Sequence, residues 1–225
     1  MKRGKNYKAQ QETFGSESMS ISDAIVAVKD NSKEKFDATI EVHIKLGIDP
    51  KQSDQMVRGN VNLGGGIAKE QRIAVFADDA AAKAAKDAGA TLIGGEELIK
   101  EIGSSGKIDF DIAIATPDMM PKLAKIAKVL GPRGLMPNPK NDTVTPEPAK
   151  AIAELSGGKT SFKMDSQGNI HQVIGRVSFD PKQIEENYTA LIDAIKKAKP
   201  EGQKGEYLKT ISISSTMGPS IKVSK

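Results

Sequence analysis

The sequence predicts an α/β fold in which a middle segment of alternating strands and helices interrupts flanks of α+β character. Three observations carry this. Residues 72–155 alternate short apolar runs with helix-forming runs, the rhythm of a parallel sheet with helical crossovers. "TIEVHIKL" (39–46) and "TISISST" (210–216) instead alternate apolar and polar residues one by one, as strands with one buried and one open face do. The length of 225 residues suits one large domain or two ordinary ones.

In chain order, Ile40, Val42, Ile44 and Leu46 form the inward face of the first strand, with Thr39, Glu41, His43 and Lys45 outward. "RIAVFA" (72–77) is of strand length, and Asp78 and Asp79 are placed to cap the Ala-rich helix that Gly89 stops. "TLIGG" is the next strand and "EELIKEIG" a helix ending at Gly103. "DFDIAIAT" (109–116) is the third strand of the middle segment. Pro117 then opens a helix with Leu123, Ile126, Ala127 and Leu130 at helical spacing. Thr145 and Pro146 read as N-cap and first position of a last helix to about Leu155. "KTSFKM" and "NIHQVIGRVSF" suggest a hairpin around Gln167–Asn169, and "KQIEENYTALIDAIKKAK" is an amphipathic helix. In "TISISST", Ile211 and Ile213 point inward and Thr210, Ser212, Ser214 and Thr216 outward. The pattern does not itself join the two flanks into one domain.

Composition bounds the function. Hydrophobic residues make up 38% and charged residues 28%, a globular balance. There is no cysteine, which removes disulfides and thiolate metal sites and fits a reducing compartment. No apolar run reaches the roughly 18 residues of a membrane helix, and "MKRGKNYKAQQ" has no apolar stretch behind it, so neither a membrane partner nor a secretory signal is expected. The net charge of +4 is unevenly spread. Residues 1–67 carry 10 basic and 9 acidic groups, residues 68–158 carry 12 and 13, and residues 159–225 carry 11 and 7. A polyanionic partner is therefore expected at the outer segments only.

Catalytic constellations are thin. "GGKT" (157–160) lacks the first glycine of a Walker A loop, since Ala153 stands there, and it follows a helix instead of a strand. "GPRGLMPNPK" (131–140) has glycines and cations, but Pro132, Pro137 and Pro139 each remove an N–H that a phosphate cradle would use. "LGGGIA" (63–68) lacks the dinucleotide spacing too. His43 and His171, the two histidines, lie on strands without a nucleophile motif beside them. No metal site and no cofactor is expected. The short hydroxyls and lysine of the outward strand faces suit phosphate and ribose instead. In "STMGPS" (215–220), Thr216 can hydrogen-bond, Met217 offers an apolar contact to a base or ribose, and Gly218 allows close approach. A small nucleotide-dependent α/β enzyme is the rival reading.

"GPRGLMPNPK", "KLGIDP", "SDQMVRG", "GGEELI", "SFKMDSQGNIH" and "TMGPSIKV" occur in the order and near the spacing of the bacterial ribosomal protein L-one family. The chain resembles that family from about Ser20 to Val223, and residues 1–19 are read as a flexible basic extension. The resemblance implies a discontinuous α+β domain of residues 1–67 and 159–225, which binds RNA, and a Rossmann-like insertion of residues 68–158. It implies a non-enzymatic, cytoplasmic protein of the lateral stalk of the large ribosomal subunit, monomeric when free. Its implied partners are large-subunit ribosomal RNA, exit-site tRNA and its own messenger RNA, whose translation it would repress. The implied RNA contacts are Lys35, Phe36, Thr39, Lys163, Asp165, His171, Thr216, Met217 and Gly218. His43 and Lys45 on the first strand's outward face belong with them, as does Thr210, where many members have serine. The stretch holding Gly131, Arg133, Gly134, Met136 and Lys140 is expected to be a shaped interdomain loop.

Overall fold

The computed structural model describes residues 4–14, 18–50, 52, 55–64, 72–200, 202–203 and 205–224. The chain divides into two compact units, Met1–Ala68 with Thr160–Lys225, and Lys69–Lys159.

In the first unit, α1 (Lys5–Phe14) and α2 (Ile21–Asp30) precede β1 (Thr39–Leu46) and β2 (Arg58–Asn62). The chain returns through β6 (Lys159–Lys163) and β7 (Asn169–Arg176), then α8 (Pro181–Lys197), β8 (Leu208–Ser215) and β9 (Ile221–Val223). The sheet order is β7-β1-β8-β9, antiparallel throughout, with β1 central. Every second residue of β1 is buried: Ile40, Val42, Ile44 and Leu46 join Ile170, Ile174, Ile211 and Ile213 in one core. From α2 that core takes Ala24, Ile25 and Val28, and from α8 Ile184, Leu191, Ile192 and Ile195. This is the 3.6-residue stripe meeting the two-residue strand period. The buried Asn187 amide of α8 donates to the Ile174 carbonyl at 2.8 Å, and Asp180 with Gln183 forms a capping box at the helix start.

Several expectations for this unit are corrected. Residues 5–14 are helical, with Gln10 and Phe14 buried, in place of a flexible extension; residues 1–3 and 15–17 lie outside the described residues. The expected hairpin around Gln167–Asn169 is present but short. Only Met164 bridges Ile170, while β6 pairs with β2, whose Gly59 leaves room for the Phe162 ring. The cause lies in Asp165, whose carboxylate takes the N–H groups of Gln167 and Asn169 and turns the chain before a ladder can extend. Helix α2 is an addition to the expected elements. Its signal was Ser20, whose hydroxyl accepts from the Asp23 N–H.

In the second unit, β3 (Ile73–Phe76), β4 (Leu92–Gly94) and β5 (Ile112–Ala115) form a parallel sheet of order β4-β3-β5. All four residues of β3 are buried because both faces are covered. Ile73 and Val75 pack with Ala85 and Ile152 of α3 (Asp79–Asp87) and α7 (Pro148–Ser156). Ala74 and Phe76 pack with Ile99 and Ile102 of α4 (Glu96–Ser105), and with Leu123 and Leu130. Three boundaries differ from those expected. Helix α4 passes through Gly103 and stops at Gly106, which has φ of 64°. The run from Pro117 breaks into 3-10 turns and the short helices α5 (Met120–Leu123) and α6 (Ala127–Leu130), Pro121 having no N–H to continue a regular ladder. Helix α7 begins at Pro148 with Glu147 at its N-cap, not at Thr145, because Val144 first bridges Ala115 as an added strand position. Asp78 occupies the N-cap of α3 without a side-chain hydrogen bond. Among the described residues no helix is long and apolar enough to cross a membrane.

Candidate nucleic-acid interface

The outward side of the four-stranded sheet is the candidate site. Residues at equivalent positions of neighbouring strands share a face, so the pairing fixes which side chains meet. His43 lies opposite His171 on one side and Ser212 on the other, and Lys45 lies between Asn169 and Thr210. Glu41 pairs with Val173 and Ser214. The face is thus a band of imidazole, hydroxyl, amide and ammonium groups, with Glu41 as an acidic member.

Its middle is hydrogen-bonded across three strands. His43 Nδ1 is 2.8 Å from His171 Nδ1, and His43 Nε2 is 3.1 Å from the Ser214 hydroxyl. His171 Nε2 in turn lies 3.5 Å from Asp165 Oδ2. Burial, and next the neighbouring His171, holds the His43 imidazole below its ordinary pKa. Asp165 accepts from the Asn169 N–H at 2.7 Å and the Gln167 N–H at 2.8 Å. Those bonds, led by the Asn169 N–H, hold its carboxyl down at about 2. Lys45 Nζ donates to the Gln167 carbonyl at 2.5 Å, which fixes the ammonium beside the turn.

One end of the sheet carries the apolar members. Phe36 is 56% exposed and Met217 64%, unusual for side chains of that size. The two segments are tied by Thr216, whose hydroxyl accepts from the Thr39 N–H at 3.0 Å and donates to the Thr39 carbonyl at 3.3 Å. Its proton is thus directed to the Thr39 carbonyl, one lone pair remains open to an outside donor, and the clasp joins the segments that carry Phe36 and Met217. Gly218 is also explained internally, because a Cβ there would overlap the Ser215 hydroxyl inside the turn. Lys35 and Lys163 are exposed. Asn169, Ser212 and Ser214 extend the band beyond the expected site residues; strand alternation marks both serines, whereas only the turn around Asp165 locates Asn169.

The remaining candidates lie in the second unit and do not form a phosphate cradle. In "GPRGLMPNPK" the N–H groups of Gly131, Gly134 and Leu135 are spent on Ala127, Gly131 and Leu130. Gly134 has φ of 71°, which lets the loop turn back. Leu135 and Met136, an exposed-looking pair in the sequence, pack against the unit's core, while Arg133 is exposed. Lys140 sits in a short 3-10 turn, and its side chain lies outside the described residues. Lys159 of "GGKT" is bound to Asp142 at 2.8 Å and Glu154 at 2.7 Å. Most of "LGGGIA" lies outside the described residues. Among the described residues no cluster of His, Asp and Glu could hold a metal ion.

Comparison with known proteins decides the family. The profile of the ribosomal protein L1p/L10e family matches residues 28–219. The chain belongs to this family. A relative from Mycolicibacterium paratuberculosis, named large ribosomal subunit protein uL1, is 51% identical over 99% of this chain and 94% of its own length. Proteins of the same name from Nocardioides and Corynebacterium jeikeium are 47% and 52% identical, the first over 99% of this chain and 93% of its own, the second over 89% and 84%. Family members are structural ribosomal proteins, so the α/β core of the second unit is not that of an enzyme, and the rival reading is set aside.

Proposed function

We propose that this protein binds large-subunit ribosomal RNA through the open face of its four-stranded sheet. It is a structural protein of the large ribosomal subunit, in the cytoplasm. The observation that carries the RNA reading is the joining of two chemistries at one sheet. Hydroxyls, imidazoles and Lys45 offer polar contact to ribose and phosphate, while Phe36 and Met217 stand exposed beside the Thr39–Thr216 clasp for contact with bases. Lys35 and Lys163 supply the electrostatic share. A messenger RNA of the same shape would compete for this face, which is how the implied repressor role would operate; exit-site tRNA is a further proposed partner.

The test is a salt titration of binding to purified large-subunit ribosomal RNA. Lys35→Ala and Lys163→Ala should each make the slope of log affinity against log salt shallower by about 0.7–0.9, one phosphate contact apiece. Lys83→Ala and Lys86→Ala on α3 should leave the slope unchanged. Equal effects from the two pairs would move the interface off this sheet.

A further inference from the structure

Four groups run in line across the sheet face: Asp165 in the turn, His171 on β7, His43 on β1 and Ser214 on β8. Their protons can be assigned from the ends inward. Asp165 is ionised at neutral pH and can only accept, so His171 carries its proton on Nε2. His171 Nδ1 is then a lone pair, and the 2.8 Å contact requires the proton on His43 Nδ1. His43 Nε2 is therefore an acceptor, and the Ser214 O–H points at it. In this neutral state the hydroxyl proton of Ser214 is turned into the protein.

We propose that this chain is a proton-binding site coupled to phosphate recognition, in which uptake of one proton places a cation on β7 and turns a hydroxyl donor outward on β8. His43 passes its Nδ1 proton to His171 Nδ1 and takes a new proton from solvent at Nε2. That Nε2–H now donates to the Ser214 oxygen, which frees the Ser214 proton for an outside acceptor. One proton enters, none leaves, and no hydrogen bond of the chain is lost. The charge settles on His171, the exposed ring beside Asp165, in preference to half-buried His43.

The other groups facing the pair do not supply this function. Glu41, on the same strand, favours the protonated state through its charge. Lys45 opposes it but is held by the Gln167 carbonyl. Ser212 and Asn169 are neutral, and Val173 and Thr210 bring no charge. Asp165 stays ionised until far more acidic conditions. The titrating element is the imidazole pair, and a phosphate oxygen over β1 meets a cation on one side and a donor on the other. RNA phosphate thus pulls the proton on, and by linkage the proton tightens RNA binding.

The inference rests on the RNA-binding reading, and one experiment separates the two. Affinity of the full chain for purified large-subunit ribosomal RNA is measured at fixed ionic strength from about pH 8 to about pH 6, the range in which an imidazole titrates. Calorimetry in two buffers of different ionisation enthalpy counts the protons taken up. Native protein should bind more tightly as pH falls, by up to about tenfold per pH unit for one linked proton. His171→Gln and His43→Gln should flatten the dependence, and Ser214→Ala should lose part of both the gain in affinity and the protons taken up on binding. Binding that is equally tight across the range, with no proton uptake, overturns the proposal and leaves the RNA interface standing. Absence of binding at every pH overturns both. The proton count on the native protein decides the matter even if a variant fails to fold.

Discussion

Thr216 and Asp165 organise the candidate face through bonds within the chain. Thr216→Val keeps the side-chain volume but leaves the Thr39 N–H and C=O without their partner. A loss of about 1–3 kcal/mol is expected in urea unfolding, two hydrogen bonds being lost at about 0.5–1.5 kcal/mol net each, together with weaker RNA binding as Phe36 and Met217 lose their common anchor. A variant of unchanged stability would show that the clasp does no holding. Asp165 makes a different statement. Its carboxyl titrates at about 2 in the folded chain against an ordinary 3.8. A depressed acid stabilises the fold above its unfolded pKa, and that contribution is lost as pH falls from about 4 towards 2. Thermal melting of the native chain should decline through this window, and Asp165→Asn should show a smaller decline because it has no such proton to take up. Parallel declines in the two would assign the acid sensitivity elsewhere. These roles were only partly legible. The sequence shows that residue 216 bears a hydroxyl and residue 165 a carboxylate, but partners 177 positions away and inside a turn come from the fold.

Strands of the first unit were the most readable elements, because burying one face forces a two-residue period. Thr39–Leu46 matches the expected span and inward set residue for residue. Elements built against local pattern were harder. β2 (Arg58–Asn62) contains a glycine and two asparagines and is explained only by its pairing with β6 and the Phe162 ring over Gly59. The run from Pro117 to Leu130 keeps its apolar spacing, so Leu123, Ile126 and Leu130 are buried as expected, although regular helix is not maintained. Burial is set by side-chain spacing and helix type by backbone donors, and only the first can be read from periodicity. Element ends offer a test. The N–H of Gly47, just after β1, donates to the Tyr207 carbonyl at 2.7 Å, and a Cβ at this glycine would overlap the Glu206 carbonyl oxygen. Gly47→Ala should therefore destabilise by about 1–3 kcal/mol, since backbone must move. Gly64→Ala, where a Cβ meets open space, serves as the control in the same denaturation experiment.

For the whole molecule, charge and chain path favour the first unit as the RNA-binding part. Residues 1–67 and 159–225 hold the net positive charge, and residues 68–158 are slightly acidic. β2 and β6 are paired, with the Met164 N–H on the Val57 carbonyl, so the chain leaves the first unit and returns to it on neighbouring strands. That arrangement makes an insertion removable in principle, since the first unit's core draws on residues from both ends of the chain and, among the described residues, on none between 64 and 161. The most direct test is to replace residues 65–158 by a short Gly/Ser linker and measure affinity for large-subunit ribosomal RNA against unrelated RNA of equal length. The account expects a cooperatively melting chain that keeps its preference for the ribosomal RNA, with some affinity lost if Arg133 reaches a second stretch of it. A shortened chain that melts cooperatively with native-like circular dichroism, yet binds both RNAs alike, would contradict it.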